Sequence, residues 1–243
     1  MRIHTLETPS LGDRSYVVAD DTGTAIVVDP QRDIDRFLTL LDEQGVRLTH
    51  VFETHTHNDY VSGGFQLARE TGATYVMAAA DEMFFDFHGI ADGDEVQVGE
   101  ITVRAIHTPG HTPTHLSYLA AHGDEQAVFT GGSLLYGSVG RTDLISLAVR
   151  EELTRHQHAS AHRLASELAD ETMVLPTHGF GSFCSSAAAD EQTSNVDPRY
   201  GVETSTIADQ KRANIALTIT DTDEFVETLL SGLDAYPPYY AHI

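Results

Sequence analysis

Residues Thr54-His55-Thr56-His57-Asn58-Asp59-Tyr60 constrain this chain more than any other stretch. Two histidines two apart, with an aspartate two further on, put imidazole and carboxylate donors on one short loop. Neutral imidazole is the commonest metal ligand, and carboxylate oxygen suits harder divalent ions. Ahead of the loop, Leu48-Thr49-His50-Val51-Phe52 has the β-branched and aromatic residues of a strand. Behind it, Val61-Ser62-Gly63-Gly64-Phe65 opens a helix. The loop therefore sits at the carboxyl end of a strand, where α/β folds place their chemistry. A polar turn with solvated histidines would account for a lone His-x-His. It does not account for further histidines at similar junctions.

Those junctions come later in the chain. A strand over Ile101 to Ile106 runs into His107-Thr108-Pro109-Gly110-His111-Thr112, where Pro109-Gly110 forces a turn that presents His111. Met173-Val174-Leu175 is a strand that ends at Pro176-Thr177-His178-Gly179. Tyr16 to Val18 and Ala25 to Val28 are short strands, the second ended by Asp29-Pro30. Ile34, Phe37, Leu38 and Leu41 fall on one helix face, and Gly45 suits its C-terminal cap. Residues Phe65 to Thr71 read as the next helix and Thr74 to Met77 as a buried strand; the order implies a layered α/β fold. Hairpins follow around Gly99-Glu100 and His122-Gly123-Asp124. The aromatic stretch 81 to 93 is read as core, with one wall of a cleft as the alternative, residues 143 to 170 as mostly helix, 185 to 204 as a surface excursion and Phe225 to Leu230 as a last helix. His158 and His162, one turn apart, are read as a solvated face rather than a metal site. The carboxylate and histidines at strand ends (His55, His57, Asp59, His111 and His178) converge on one sheet edge in such a fold and form a metal site.

The chain has 243 residues, 37 acidic and 14 basic, a net charge of −23, and Lys211 is its only lysine. That balance argues against nucleic acid and anionic membranes as partners. Cys184 is the only cysteine, so no internal disulfide forms. With no apolar signal core after Met1 and no run near the ~20 residues of a membrane helix, the expected location is the cytoplasm.

At Thr54 to Tyr60, Thr108 to Thr112, Val128 to Asp143 (VFTGGSLLYGSVGRTD) and Leu175 to Cys184 (LPTHGFGSFC), the chain resembles the metallo-β-lactamase superfamily. The branch it looks most like is that of persulfide dioxygenases and their rhodanese-linked relatives, with glyoxalase II a more distant cousin. The resemblance implies a single domain over residues 1 to 243, a four-layer αββα sandwich with the metal at one edge. In dinuclear members, the matching first-metal ligands are His55, His57 and His111. The second-metal ligands fall on Asp59, Tyr60 and His178, so Tyr60 stands where that pattern has an imidazole. Gly132 stands where a bridging Asp follows Thr-Gly, and where the one-iron dioxygenases carry their carboxylate.

The resemblance thus implies a sulfur dioxygenase with one Fe(II) per chain on His55, His57 and His111, oxidising a small-molecule thiol persulfide to sulfite and thiol. Asp59 and His178 would be further ligands or catalytic groups, Tyr60 a hydrogen-bond donor or core aromatic, and Arg141 an anchor for an anionic thiol or the partner of Asp143. Cys184 is read as a small buried residue rather than a sulfur carrier. The rivals are a Zn(II) hydrolase of a thioester or lactone and a degenerate sulfur-relay module. No rhodanese active loop is seen, so no thiosulfate sulfurtransferase activity is expected; the expected partners are a separate rhodanese domain or protein and, in a homo-oligomer, further copies of this chain. Gly132→Asp is expected to strengthen metal binding if the backbone there accepts a side chain.

Overall fold

The computed structural model describes residues 1–179, 195–197 and 202–236. Strands β1 (Arg2–Thr8), β2 (Asp13–Ala19) and β3 (Thr24–Val28) form an antiparallel meander. Helix α1 (Asp35–Gln44) crosses to β4 (Arg47–Phe52), parallel to β3, and helix α2 (Gly64–Thr71) crosses to β5 (Thr74–Ala78), parallel to β4. The short β6 (His88–Ile90) closes this sheet, whose order is β1-β2-β3-β4-β5-β6. In the second sheet β7 (Glu95–Val98), β8 (Ile101–His107), β9 (Leu116–His122) and β10 (Glu125–Gly131) run antiparallel. Helix α3 (Arg150–Glu167) then leads to β11 (Met173–Pro176), parallel to β10. Strands β12 (Asn195–Asp197) and β13 (Val202–Thr206) extend it, followed by α4 (Ile207–Ala213), α5 (Ile215–Thr218) and α6 (Thr222–Gly232).

The layering follows from residues that are apolar on both faces of each sheet. Tyr16, Val18, Ile26, Val28 and Phe52 pack inward against Val103, Ala105, Tyr118 and Phe129 of the other sheet. The ring pairs Tyr16–Phe129 and Phe52–Tyr118 lie 5.2 and 5.0 Å apart, each worth ~0.5–1.5 kcal/mol beyond area burial. The alternate residues Val17, Val27 and Val51 turn outward onto Phe37, Leu41 and Leu67 of α1 and α2. Ile106, Leu119, Val128 and Val174 of the second sheet turn outward onto Ala161, Leu164, Phe225 and Leu229 of the helices behind it. Two sheets between two helical layers is the expected αββα sandwich. Among the described residues, no helix is long and apolar enough to cross a membrane.

Several local expectations are corrected. The helix expected from residue 143 begins at Arg150, because Asp143 receives Arg141 Nε at 2.7 Å and Nη2 at 2.9 Å instead of capping a helix. His158 is not on a solvated face. Its ring stacks on Phe225, and its nitrogens meet Ile219 O at 2.8 Å and Thr222 Oγ1 at 3.1 Å, pinning α3 to the α5–α6 link. In the aromatic stretch, Met83, Phe85 and Phe87 pack half-buried beside α2, whereas Phe84 is exposed. The Gly-Ser-Phe-Cys stretch, Cys184 included, lies outside the described residues.

Asp20 ties the two sheets together at the end of β2. Its carboxylate accepts the amides of Thr22 and Thr24, each at 2.9 Å, and reaches across to the Glu100 amide at 2.9 Å. Burial raises its pKa, but these amides and the Thr22 hydroxyl outweigh that and hold it at about 2. The folded value lies below the ordinary 3.8, so the contribution is complete above that pH and is lost as pH falls through about 2. Asp20→Asn is expected to lower stability by on the order of 1–2 kcal/mol near neutrality, allowing for solvent screening. The gap in urea midpoint between wild type and variant should close as the pH approaches 2; an unchanged gap would contradict this account.

Candidate metal centre

Three loops meet at the edge where β4, β8 and β11 end. The β4 loop is held by Asp29, which stands at the end of β3 with φ +50°, a left-handed conformation that Asp tolerates better than most residues. Asp29 accepts the Thr54 amide and hydroxyl, both at 2.7 Å, and the Thr177 hydroxyl of the β11 loop. The Leu116 amide donates to Thr54 O at 2.8 Å and the Tyr118 hydroxyl to Glu53 O at 2.9 Å, which ties this loop to the second sheet. The Pro109-Gly110 turn is fixed from behind by α3: Ser160 donates to Pro109 O at 2.7 Å, and Gly110 abuts the Gln157 backbone at a φ of +148°. The β11 loop is strapped to β2 through Arg14 N to Thr177 O at 2.8 Å and Gly179 N to Gly12 O at 2.7 Å.

This arrangement brings His55, His57 and His178 together, with one donor atom of each within 4.8 Å of the others. The His111 ring centroid lies 4.7 Å from that of His55 and 5.1 Å from that of His178. Asp59 Oδ2 lies 3.2 Å from His178 Nδ1, beside Asp13 Oδ1 at 3.0 Å. Tyr60 stacks on His57 with centroids 4.3 Å apart, and its hydroxyl donates to Asp29 O at 3.3 Å. The Arg141 guanidinium is buried against Asp143 and donates to Asp234 O at 3.2 Å. Its nearest role at the site is through the backbone, where Arg141 O accepts His111 Nδ1–H at 2.8 Å.

Three acidic residues at this edge carried no site signal in the sequence: Asp13, Asp29 and Glu53. His57 Nε2 lies 3.2 Å from Glu53 Oε2 and 3.4 Å from Asp29 Oδ1. Glu53 in turn accepts from Ser62, and from the Tyr75 hydroxyl at 3.3 Å. Burial disfavours an imidazolium at His57, but Asp29 and Glu53 outweigh it and raise its pKa to about 10. Burial likewise opposes charge on His178, but Asp59 and Asp13 raise it to about 9. His111, with no such carboxylate on its ring nitrogens, is pushed by burial and by the His178 charge down to about 3.

The donor set fits a transition-metal ion. His57 Nδ1 and His111 Nε2 are buried and have no hydrogen-bond partner among the described residues; His111 Nδ1 is held by a carbonyl, while His57 Nε2, also without a formed hydrogen bond, lies 3.2 and 3.4 Å from two carboxylates. A ligating histidine has this pattern, its outer nitrogen fixing tautomer and ring orientation. His115 lacks it. Its Nδ1 meets Thr108 Oγ1 at 2.9 Å and its Nε2 accepts the Gly132 amide at 3.1 Å. His111→Ala is therefore expected to abolish tight metal binding. His115→Ala should weaken it only through displacement of the Gly132 loop. Equilibrium dialysis of both variants checks the order, and the reverse order would contradict the assignment.

Residues 11–178 match the model of the metallo-β-lactamase superfamily. The chain belongs to that superfamily. Its similar proteins include human mitochondrial persulfide dioxygenase ETHE1, 28% identical over 74% of this chain and 69% of the human protein. Hydroxyacylglutathione hydrolase of Methylococcus capsulatus is 34% identical over 57% of this chain and 55% of that enzyme. Among solved structures, ETHE1 from Myxococcus xanthus superposes with a TM-score of 0.79 at 29% identity, covering 99% of this chain and 94% of that one. A metallo-β-lactamase from Staphylococcus aureus superposes at 0.85 with 26% identity, covering 99% of this chain and 70% of that one. The chain is thus related to metallo-β-lactamase-fold enzymes, and histidine and aspartate side chains able to hold a metal ion cluster at this edge.

Proposed function

We propose that this superfamily member is a one-iron sulfur dioxygenase acting on a low-molecular-weight persulfide, such as glutathione persulfide. The observation that carries the reading is a cluster of imidazoles at His55, His57, His111 and His178, beside which Gly132 offers no side chain to bridge a second ion. Two divalent ions ~3.5–4 Å apart repel strongly and need bridging anions. Similarity over nearly the whole length of Myxococcus xanthus ETHE1 supports the same reaction class. Iron held by His55, His57 and His111 would supply the redox chemistry by which dioxygen oxidises sulfur.

The balance is R–S–SH + O₂ + H₂O → R–SH + SO₃²⁻ + 2 H⁺. Four electrons pass from the terminal sulfur to dioxygen, the S–S bond breaks, and the thiol leaves with one proton. The residues of this chain orient and exclude. Glu53 and Asp29 fix His57 from behind, Arg141 O fixes His111, and Thr54 fixes His55. The Tyr60 ring covers His57 and keeps water from that side of the imidazole. Protein loaded with ferrous iron without oxygen is expected to consume dioxygen with glutathione persulfide and release sulfite, one for one. The similarity to hydroxyacylglutathione hydrolase supports a second reading, zinc-dependent thioester hydrolysis. Hydrolysis of a glutathione thioester with no persulfide-dependent oxygen uptake would favour it and sink the first.

A further inference from the structure

We propose that Gln157 of α3 is a positioning residue for the metal centre, one buried side chain that fixes the turn carrying His111 against the segment on which the His111 ring packs. The inference rests on His111 as a ligand in the one-metal reading above and deepens that reading. His111 follows the Pro109-Gly110 turn, whereas Gly132, on which its ring packs, follows β10. The spacing of these two segments decides where the imidazole points. Gln157 touches both. Its Nε2 donates to Ser133 O, the carbonyl one residue past Gly132, and lies 3.3 Å from Ser133 Oγ. Only the nitrogen of the amide can donate to a carbonyl, which sets the orientation of the side chain. On the other side, its Cα, Cβ and Oε1 would each lie 2.5 Å from a Cβ on Gly110, the residue before His111.

Thr154, Gln157 and Ser160 follow one another three apart along α3, so each neighbours the next on the helix surface. Thr154 Oγ1 lies 2.6 Å from Thr142 Oγ1, and Ser160 donates to Pro109 O at 2.7 Å. Those contacts hold one loop each; of the three, Gln157 spans two. Its side chain is fully buried, so bulk water does not compete for Ser133 O. The Ser133 amide is bonded to Thr130 O at 2.8 Å and the Gly140 amide to Gly132 O at 2.9 Å, so a strap on Ser133 acts on the whole loop. A side chain that only filled space would hold α3 in the domain and leave His111 to its own turn. Gln157 differs because its bond to Ser133 O keeps Gly132 from receding from the His111 ring.

The test uses Co(II) as the probe. Affinity is measured by chelator competition, the ligand environment by the visible absorption spectrum, and folding by the melting temperature of the metal-free protein. Gln157→Met keeps the length of the side chain and removes the donor. It is expected to lose ~10-fold in affinity, the lower end of what an outer partner of a ligand costs, and to change the spectrum. Leu164→Val thins the packing of α3 behind the second sheet without touching either segment. It is expected to lower the melting temperature and leave both metal readouts at wild type. The decisive variant joins Gln157→Met to Gly132→Ala. With the strap intact, the added methyl group pushes the His111 ring aside; with the strap released, the loop can recede instead. The double variant is therefore expected to bind Co(II) ~10-fold more tightly than Gly132→Ala alone, a coupling that a purely structural residue would not show. If Gln157→Met does not fold, Gln157→Asn, which withdraws the donor by one carbon, takes its place in both arms. A double variant that binds no more tightly than Gly132→Ala would overturn the proposal, as would wild-type affinity and spectrum in the single Gln157 variant. Absence of oxygen uptake by the wild type would sink the dioxygenase reading and leave these affinities standing.

Discussion

Gly132→Ala is expected to release the metal while leaving the fold standing. A Cβ at this position would overlap His111 Cδ2 and lie 2.5 Å from His111 Cγ. The ring is also close to Gly140, where a Cβ would lie 2.6 Å from His111 Nδ1, and the Gly140 amide is bonded to Gly132 O at 2.9 Å. His111 is thus packed against two glycine backbones, which accounts for the glycine that opens Gly140-Arg141-Thr142-Asp143. The space at Gly132, not its backbone angle, is what requires glycine, for the left-handed residue is its neighbour Gly131 at a φ of +52°. This overturns the sequence expectation that Gly132→Asp strengthens metal binding: a carboxylate there must first displace an imidazole. Overpacking of this kind costs ~1–3 kcal/mol, a loss a domain of this size survives, but a ligand moved off its line is expected to cost ~100-fold in metal affinity. Metal content after dialysis, with melting temperature as the control for folding, checks it. Two tightly held metal ions in Gly132→Asp would show that the bridge can be rebuilt and that the steric argument fails.

The sequence revealed the site by its loops, and what it left out is equally physical. His55, His57, His111 and His178 stood out because each follows a strand, and parallel or adjacent strand ends collect at one edge whatever their separation along the chain. Pro109-Gly110 announced a turn, and Gly45 a helix end that the structure shows at a φ of +62°. The carboxylates behind the histidines gave no such signal. Asp29 read as the stop of a strand, and Asp13 and Glu53 carried no reading, because nothing local marks a buried acid. Their meaning lies in pairings over distance: Asp13 meets His178 across 165 positions, and Asp29 meets Thr177 across 148. His158 was misplaced for a related reason, since helical spacing alone cannot show that the α5–α6 link will cover that face. Arg141 carried two alternatives in the sequence, and the structure shows the pairing with Asp143, at 2.7 Å.

Asp29→Ala is expected to be the most damaging single change at this edge, to folding as much as to metal binding. The side chain is fully buried and accepts from Thr54 twice and from Thr177 once, while facing His57 Nε2 at 3.4 Å. Burial alone would raise its pKa, yet the His57 charge and these donors hold it below the usual carboxylate range. Its removal leaves the Thr54 amide and two hydroxyls without their acceptor and leaves His57 with Glu53 alone. Breaking a buried, hydrogen-bonded ion pair from one side costs ~3–5 kcal/mol, a large part of the ~5–15 kcal/mol that holds a typical domain together. The backbone adds its own term, because alanine at a φ of +50° carries ~1–2 kcal/mol of left-handed strain that glycine does not. Urea denaturation of three variants separates the contributions. Asp29→Ala should lie below Asp29→Gly by about that strain, and Asp29→Asn, with one acceptor oxygen kept, should lie above both. If Asp29→Gly matched wild type in stability and in metal affinity, Asp29 would be an ordinary turn residue, and the account of how it holds Thr54, Thr177 and His57 in place would fail.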